Sequence, residues 1–233
     1  MDIFARLLFG HFLADFTLQT NFLAEWKRHS FRGLLVHVAI HPICYLALTL
    51  PLVNHTWLAL GSVKLNGWMI ILILTVLHFA EDWFRITMVN KNYLPDNTFF
   101  YLWDQIVHIL VLILLCPVRT QPLTHIWPVL GTLFVIVTHF ATVTVWFIEK
   151  DIYGRSYPET EEKYISILQR LVVWLAFFLP HPLWIFLVLF FVVSFGRHIW
   201  RRRFDFSWTS VILGNALALG AGFVTRFGLQ FHF

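Results

Sequence analysis

Long stretches without a single Asp, Glu, Lys or Arg dominate this chain, among them Trp68–Leu77, Ile106–Cys116, Ile126–Ile148 and Leu183–Phe195. A backbone in hydrocarbon must satisfy its own N–H and C=O groups, which an α-helix of about 20 apolar residues does across a core roughly 30 Å thick. Apolar residues make up 58% of the sequence and charged residues 13%, about half the ~25% charged of a typical soluble domain. Such a chain cannot clothe a water-facing surface. The sequence therefore predicts an all-α membrane protein, a polytopic bundle of transmembrane helices.

Apolar runs read against turn and charge signals place about eight helices, near residues 3–24, 34–53, 67–89, 100–118, 125–148, 164–179, 183–199 and 207–228. Pro180 and Pro182 separate the sixth from the seventh, because proline removes a donor and disfavours helix before it. A four-helix half over residues 1–120 and a second membrane half over 121–233, with a polar loop at 149–163, make up a single membrane domain. Asp2 and Arg6 precede a first apolar run broken by His11, Asp15 and Gln19, and no convincing small-residue cleavage site follows it, so it reads as a retained helix. Cys44 and Cys116 each sit in an apolar run and read as core thiols.

With eight spans, thirteen of the Lys and Arg residues fall on one side and four, Arg6, Lys64, Arg119 and Arg226, on the other. Cations are retained in the cytoplasm during insertion, so this asymmetry predicts a multi-pass protein of a cell's inner membrane with both termini on the periplasmic side. The pI of about 9.3 then reflects topology and anionic lipid, with no nucleic-acid partner implied. A phosphate-binding glycine loop, a serine nucleophile elbow and a zinc-spaced cysteine pair are all missing, which argues against ATP and serine hydrolysis.

Four consecutive predicted helices each carry a polar pair at i, i+4: His11 with Asp15, His37 with His41, His78 with Asp82, and Asp104 with His108. That spacing sets two side chains on one helix face, one turn apart. The predicted topology puts all four pairs in the cytoplasmic half, where they can meet in one layer. Ionisable groups at that depth are costly and mark sites. Five imidazoles and three carboxylates form the mixed nitrogen and oxygen set that a divalent metal accepts, Zn first, with Mn, Fe or Mg as alternatives, and suffice for one or two ions. Interhelical hydrogen bonding is the competing role. His41 is the weakest member, since Pro42 follows it and bends helices.

The segments Gly10-His11-Phe12-Leu13-Ala14-Asp15-Phe16-Thr17-Leu18-Gln19-Thr20 with Lys27 after it, Leu34-Leu35-Val36-His37, His78 with Asp82, and Asp104-Gln105-Ile106-Val107-His108 resemble the bacterial membrane family called domain of unknown function 3307. Ile167-Leu168-Gln169-Arg170 and Arg203-Phe204 resemble its long form, which would carry Glu where Gln169 stands. More distantly, the chain resembles membrane-bound metal-dependent hydrolases. The resemblance raises the expectation of a hydrolase without supplying a reaction.

The expected ligands are His11, Asp15, His37, His78, Asp82, Asp104 and His108, with Asp15 and His11 as candidate catalytic groups. Arg85 follows His78 and Asp82 at i+7 on the same face and is placed to hold an anionic headgroup. Lys27 and Arg32 at the mouth, with Gln19 and Gln105, complete the expected substrate contacts. Together these predict a membrane-embedded, metal-dependent hydrolase of a lipid-linked phosphate at the cytoplasmic leaflet. The alternatives are a metal-ion or proton transporter and a non-catalytic subunit with a structural metal.

Overall fold

The computed structural model describes residues 1–116, 123–200 and 207–229, with the backbone alone at Leu60 and residues 195–200. Arg119, Arg201, Arg202, Arg203 and Phe204, used above in the charge count and the resemblance, lie outside the described residues. The helices are α1 (Asp2–Phe12), α2 (Asn21–His29), α3 (Phe31–Thr49), α4 (Gly67–Asn90), α5 (Thr98–Leu115), α6 (Trp127–Val135), α7 (Ala141–Tyr153), α8 (Thr160–Ala176), α9 (Leu183–Trp200) and α10 (Trp208–Phe223). Single π-helical turns extend α1 to Thr17 and α10 to Gly228, and a third joins α6 to α7.

The chain is largely helical, but two features depart from the expected bundle. An antiparallel hairpin, β1 (Thr56–Leu60) with β2 (Val63–Asn66), connects α3 to α4, so the chain is not purely α. Four described segments are long and apolar enough to cross a membrane: Phe31–Leu52, Thr98–Leu115, Trp127–Tyr153 and Trp208–Gly228. Other expected spans have visible interruptions. Asp2, Arg6 and Asp15 break up the first helix, and Glu81, Asp82 and Arg85 the end of α4. Glu161, Glu162, Lys163 and Arg170 lie in α8, and the part of α9 whose side chains are described, Leu183–Ser194, is apolar.

Polar side chains fix several helix starts by accepting from a free backbone N–H in the first turn. Thr20 accepts from Leu23 N at 3.2 Å, Asn66 from Met69 N at 3.1 Å, and Asn97 from Phe100 N at 2.9 Å. The Thr20 cap corrects the first boundary: the expected helix 3–24 stops at Thr17, and α2 begins separately as a short amphipathic helix. Gly33 lets α2 lie against α3, because a Cβ there would stand 2.5 Å from the Trp26 carbonyl oxygen. Pro42 sits inside α3, which continues through it.

The described chain divides into two compact units, Met1–Thr132 and Leu133–Phe233. In the first, Ile3, Leu7, Tyr45, Val53, Trp57, Ile70, Leu74 and Leu112 belong to one buried apolar cluster. Four of these residues lie four positions from a histidine: Leu7 from His11, Tyr45 from His41, Leu74 from His78, and Leu112 from His108. A further four positions on come Asp15, His37, Asp82 and Asp104. Each of α1 with its π turn, α3, α4 and α5 thus carries one face through an apolar layer, an imidazole layer and a layer of three carboxylates and His37. In the second unit, Val173, Ala176, Phe177, Val188 and Ala218 form the apolar core. Trp174 Nε1 donates to Thr225 Oγ1 at 2.9 Å, and Arg226 Nη1 donates to the Phe177 carbonyl at 3.0 Å.

Candidate functional site

The four polar pairs of the first unit converge. His11, Asp15, His37, His41, His78, Asp82, Asp104 and His108 are all buried, none more than 6% exposed. Ring centroids in the imidazole layer are 3.7 Å apart for His41 and His78, 4.4 Å for His78 and His108, and 5.2 Å for His11 and His108. His11 lies 5.7 Å from both His41 and His78.

Asp15 stands at the centre of one donor set. Its Oδ1 is 3.1 Å from His41 Nε2, 3.2 Å from His37 Nε2 and 3.7 Å from His78 Nε2, while Oδ2 is 3.5 Å from His11 Nε2. Asp82 Oδ2 lies 3.1 Å from His37 Nε2 and 3.8 Å from His78 Nε2. The π turn at Leu13–Thr17 contains Asp15 and so shapes the backbone at this position. Such turns are rare in helices and frequent at functional sites.

These contacts exceed what hydrogen bonding can satisfy. His37 Nε2 faces Lys27 Nζ at 3.1 Å as well as the oxygens of Asp15 and Asp82, yet one ring nitrogen either donates one proton or accepts. His11 Nε2, Asp15 Oδ1, His41 Nε2 and both nitrogens of His108 are buried and make no hydrogen bond of acceptable geometry, although His41 Nε2 faces Asp15 Oδ1 at 3.1 Å and His108 Nε2 faces Glu81 Oε2 at 3.0 Å. Buried polar atoms are ordinarily bonded, so an orphaned group of donor atoms in one layer calls for another partner.

A metal ion fits that requirement. Ligand atoms about 2.0–2.1 Å from a tetrahedral ion stand ~3.3 Å apart, close to the separations around Asp15. Four groups of ligand atoms lie within 4.8 Å of one another: His11, Asp15, His41 and His78; His37, His78 and Asp82; His78, Glu81 and His108; and Asp82, Asp104 and His108. The first and last share no residue, so two ions could be held without a common ligand. The connected charges agree in sign. Five carboxylates, Asp15, Glu81, Asp82, Asp96 and Asp104, outnumber the three Lys and Arg cations they face, Lys27, Arg28 and Arg85.

Two residues in this layer were not among the expected ligands. Glu81 Oε2 lies 3.0 Å from His108 Nε2; Asp82 beside it drew the attention, and adjacent helical residues point in different directions. His41, discounted for Pro42, is fully buried in the cluster. The expected substrate residues are more dispersed. Lys27 reaches inward and donates to Asp82 Oδ2 at 3.0 Å. Arg85 donates to Asp96 Oδ1 at 2.9 Å and lies 4.0 Å from Asp104 Oδ2, at the edge of the cluster. Gln105 Nε2 donates to Asp104 Oδ2 at 3.2 Å. Gln19 is half-buried, and Arg32 is exposed with no ion pair among the described residues.

A model of the family described as Protein of unknown function (DUF3307) matches residues 3–129, more than half of the chain. The chain belongs to the DUF3307 family. The DUF3307 match encloses every residue of the cluster, from His11 to His108, and stops before Gln169 and Arg170. No curated protein and no solved structure matched the chain.

Proposed function

We propose that this DUF3307 protein is a membrane-embedded, metal-dependent hydrolase of a lipid-linked phosphate, with its reaction centre in the first unit at the cytoplasmic leaflet of an inner membrane. The observation that carries the reading is the meeting of four helices' His and Asp pairs in two adjoining buried layers, with donor atoms left without a hydrogen bond of acceptable geometry. His11, Asp15, His41 and His78 would hold the ion, zinc being best suited to three imidazoles and a carboxylate. A bound divalent ion acidifies water and polarises a phosphoryl oxygen.

The chain's own groups have distinct tasks in this scheme. Asp15 presents one oxygen toward His37 and His41 and the other toward His11. The oxygen not engaged in holding the ion accepts a proton from the attacking water; His11, whose Nε2 lies 3.5 Å from Asp15 Oδ2, would take that proton on only where Asp15, His41 and His78 hold the ion without it. Water adds to phosphorus, the ester P–O bond breaks, and the Lys27 ammonium gives a proton to the departing oxygen. Lys27 is only 11% exposed and already bound to Asp82, so its charge is held where an anionic group would arrive. Arg85, anchored by Asp96, orients the headgroup from the edge of the cluster. Apolar walls on the same helices exclude competing water.

The test is release of phosphate or alcohol from a panel of phospholipids and polyprenyl phosphates by purified protein in lipid nanodiscs. Turnover should depend on Zn or Mn, and Asp15→Asn should lower kcat by about 10²–10⁴, the range for loss of a general base. A protein that holds its metal at stoichiometry yet cleaves no member of the panel would instead favour a structural ion.

A further inference from the structure

The second unit contains a separate polar cavity of about 40 Å³ between α7, α8 and the start of α10, room for roughly three water-sized occupants. Arg170, Lys163 and Arg155 line it with Thr142, Ser166 and Ser210, and Glu149 and Glu162 are its acidic members. Arg170 is the unusual residue. It is 2% exposed and has no ion pair to a carboxylate among the described residues. Both described hydrogen bonds leave from Nη2, to the Thr138 carbonyl at 3.1 Å and Thr142 Oγ1 at 2.6 Å, while Nε is buried without an acceptor.

Pinning the π turn at Ile136–Phe140 accounts for Nη2 but leaves Nε unused. The fold also makes space for this guanidinium, since a Cβ on Gly214 would stand 3.2 Å from Arg170 Cδ and 3.5 Å from Nη1. Glu149 is engaged by the Ser207 hydroxyl, which caps α10. Three cations against two carboxylates leave one positive charge over, and neither Arg170 nor Lys163, which lies over the Tyr157 and Tyr164 rings, is ion-paired to a carboxylate among the described residues. A guanidinium edge, an ammonium group and hydroxyls around a small cavity match a phosphate-type oxyanion.

We propose that this cavity is an oxyanion site that takes a phosphate group, on a lipid headgroup or free, with Arg170 as its principal contact and Lys163 and Ser166 beside it. The site is distinct from the His and Asp layer of the first unit. Its test is titration of the full chain in nanodiscs with inorganic phosphate and, in a parallel arm, with a short-chain phosphatidic acid. Saturable binding is expected in the wild type, weakened at least tenfold by Arg170→Gln and by Ser166→Phe, which fills the cavity while leaving Arg170 in place. Tighter binding of phosphatidic acid assigns the site to lipid, and equal binding of both assigns it to the free anion. No binding of either probe by the wild type overturns the proposal, as does binding undiminished in a folded Ser166→Phe variant. That second variant decides the question if Arg170→Gln does not fold.

Discussion

His78→Ala is expected to strip the protein of its metal. His78 belongs to three of the four ligand groups and lies 3.4 Å from His37 Nε2 and 3.7 Å from Asp15 Oδ1. No other side chain is shared so widely, and its loss opens both the Asp15 and the Asp82 sets. Elemental analysis should lose the ion that His11, Asp15, His41 and His78 would hold, a larger effect than the ~10–100-fold affinity loss that follows removal of an outer-sphere partner. Glu81→Gln is the useful comparison, because Glu81 belongs to a single group, with His78 and His108, and is itself outside the set that would hold the ion, so its change should stay within that smaller range. Undiminished metal in a folded His78→Ala protein would contradict the ligand assignment.

Metal removal should also destabilise the fold itself. An ion bound only by the folded state stabilises it by RT ln(1 + [L]/Kd), about 4 kcal/mol at a thousandfold excess over Kd. For a chain of this size each kcal/mol shifts the melting midpoint by roughly 2–4 °C. Chelation should therefore lower the midpoint of the wild type by about 8–16 °C and that of His78→Ala scarcely at all. The contrast matters because the surplus carboxylates repel one another once the ion is gone. An identical fall in both proteins would mean that the chelator acts elsewhere.

The His and Asp layer was legible in the sequence because helical periodicity alone fixes which residues share a face. Four pairs at i, i+4 announce four polar faces, and the buried Leu7, Tyr45, Leu74 and Leu112 one turn beyond them extend the same pattern into the core. Tertiary placement was harder to read. Lys27 looked like a cation at the mouth, but the break after Thr17 and the close passage of α2 over Gly33 bring its ammonium down to Asp82. Arg85 looked available to a ligand, and its partner Asp96 lies eleven residues away across a loop that no periodicity describes. Glu81 was hidden by its neighbour Asp82, since its partner His108 is on another helix. The hairpin at Thr56–Asn66 escaped because the flanking apolar runs dominate the pattern around it.

X-ray absorption at the metal edge of protein purified without added metal is the most direct probe of these claims. A first shell of nitrogen and oxygen at about 2.0–2.1 Å with the outer-shell scattering of several imidazoles is the predicted spectrum. Protein that takes up no transition metal, or a shell of oxygen atoms without imidazole, would contradict it.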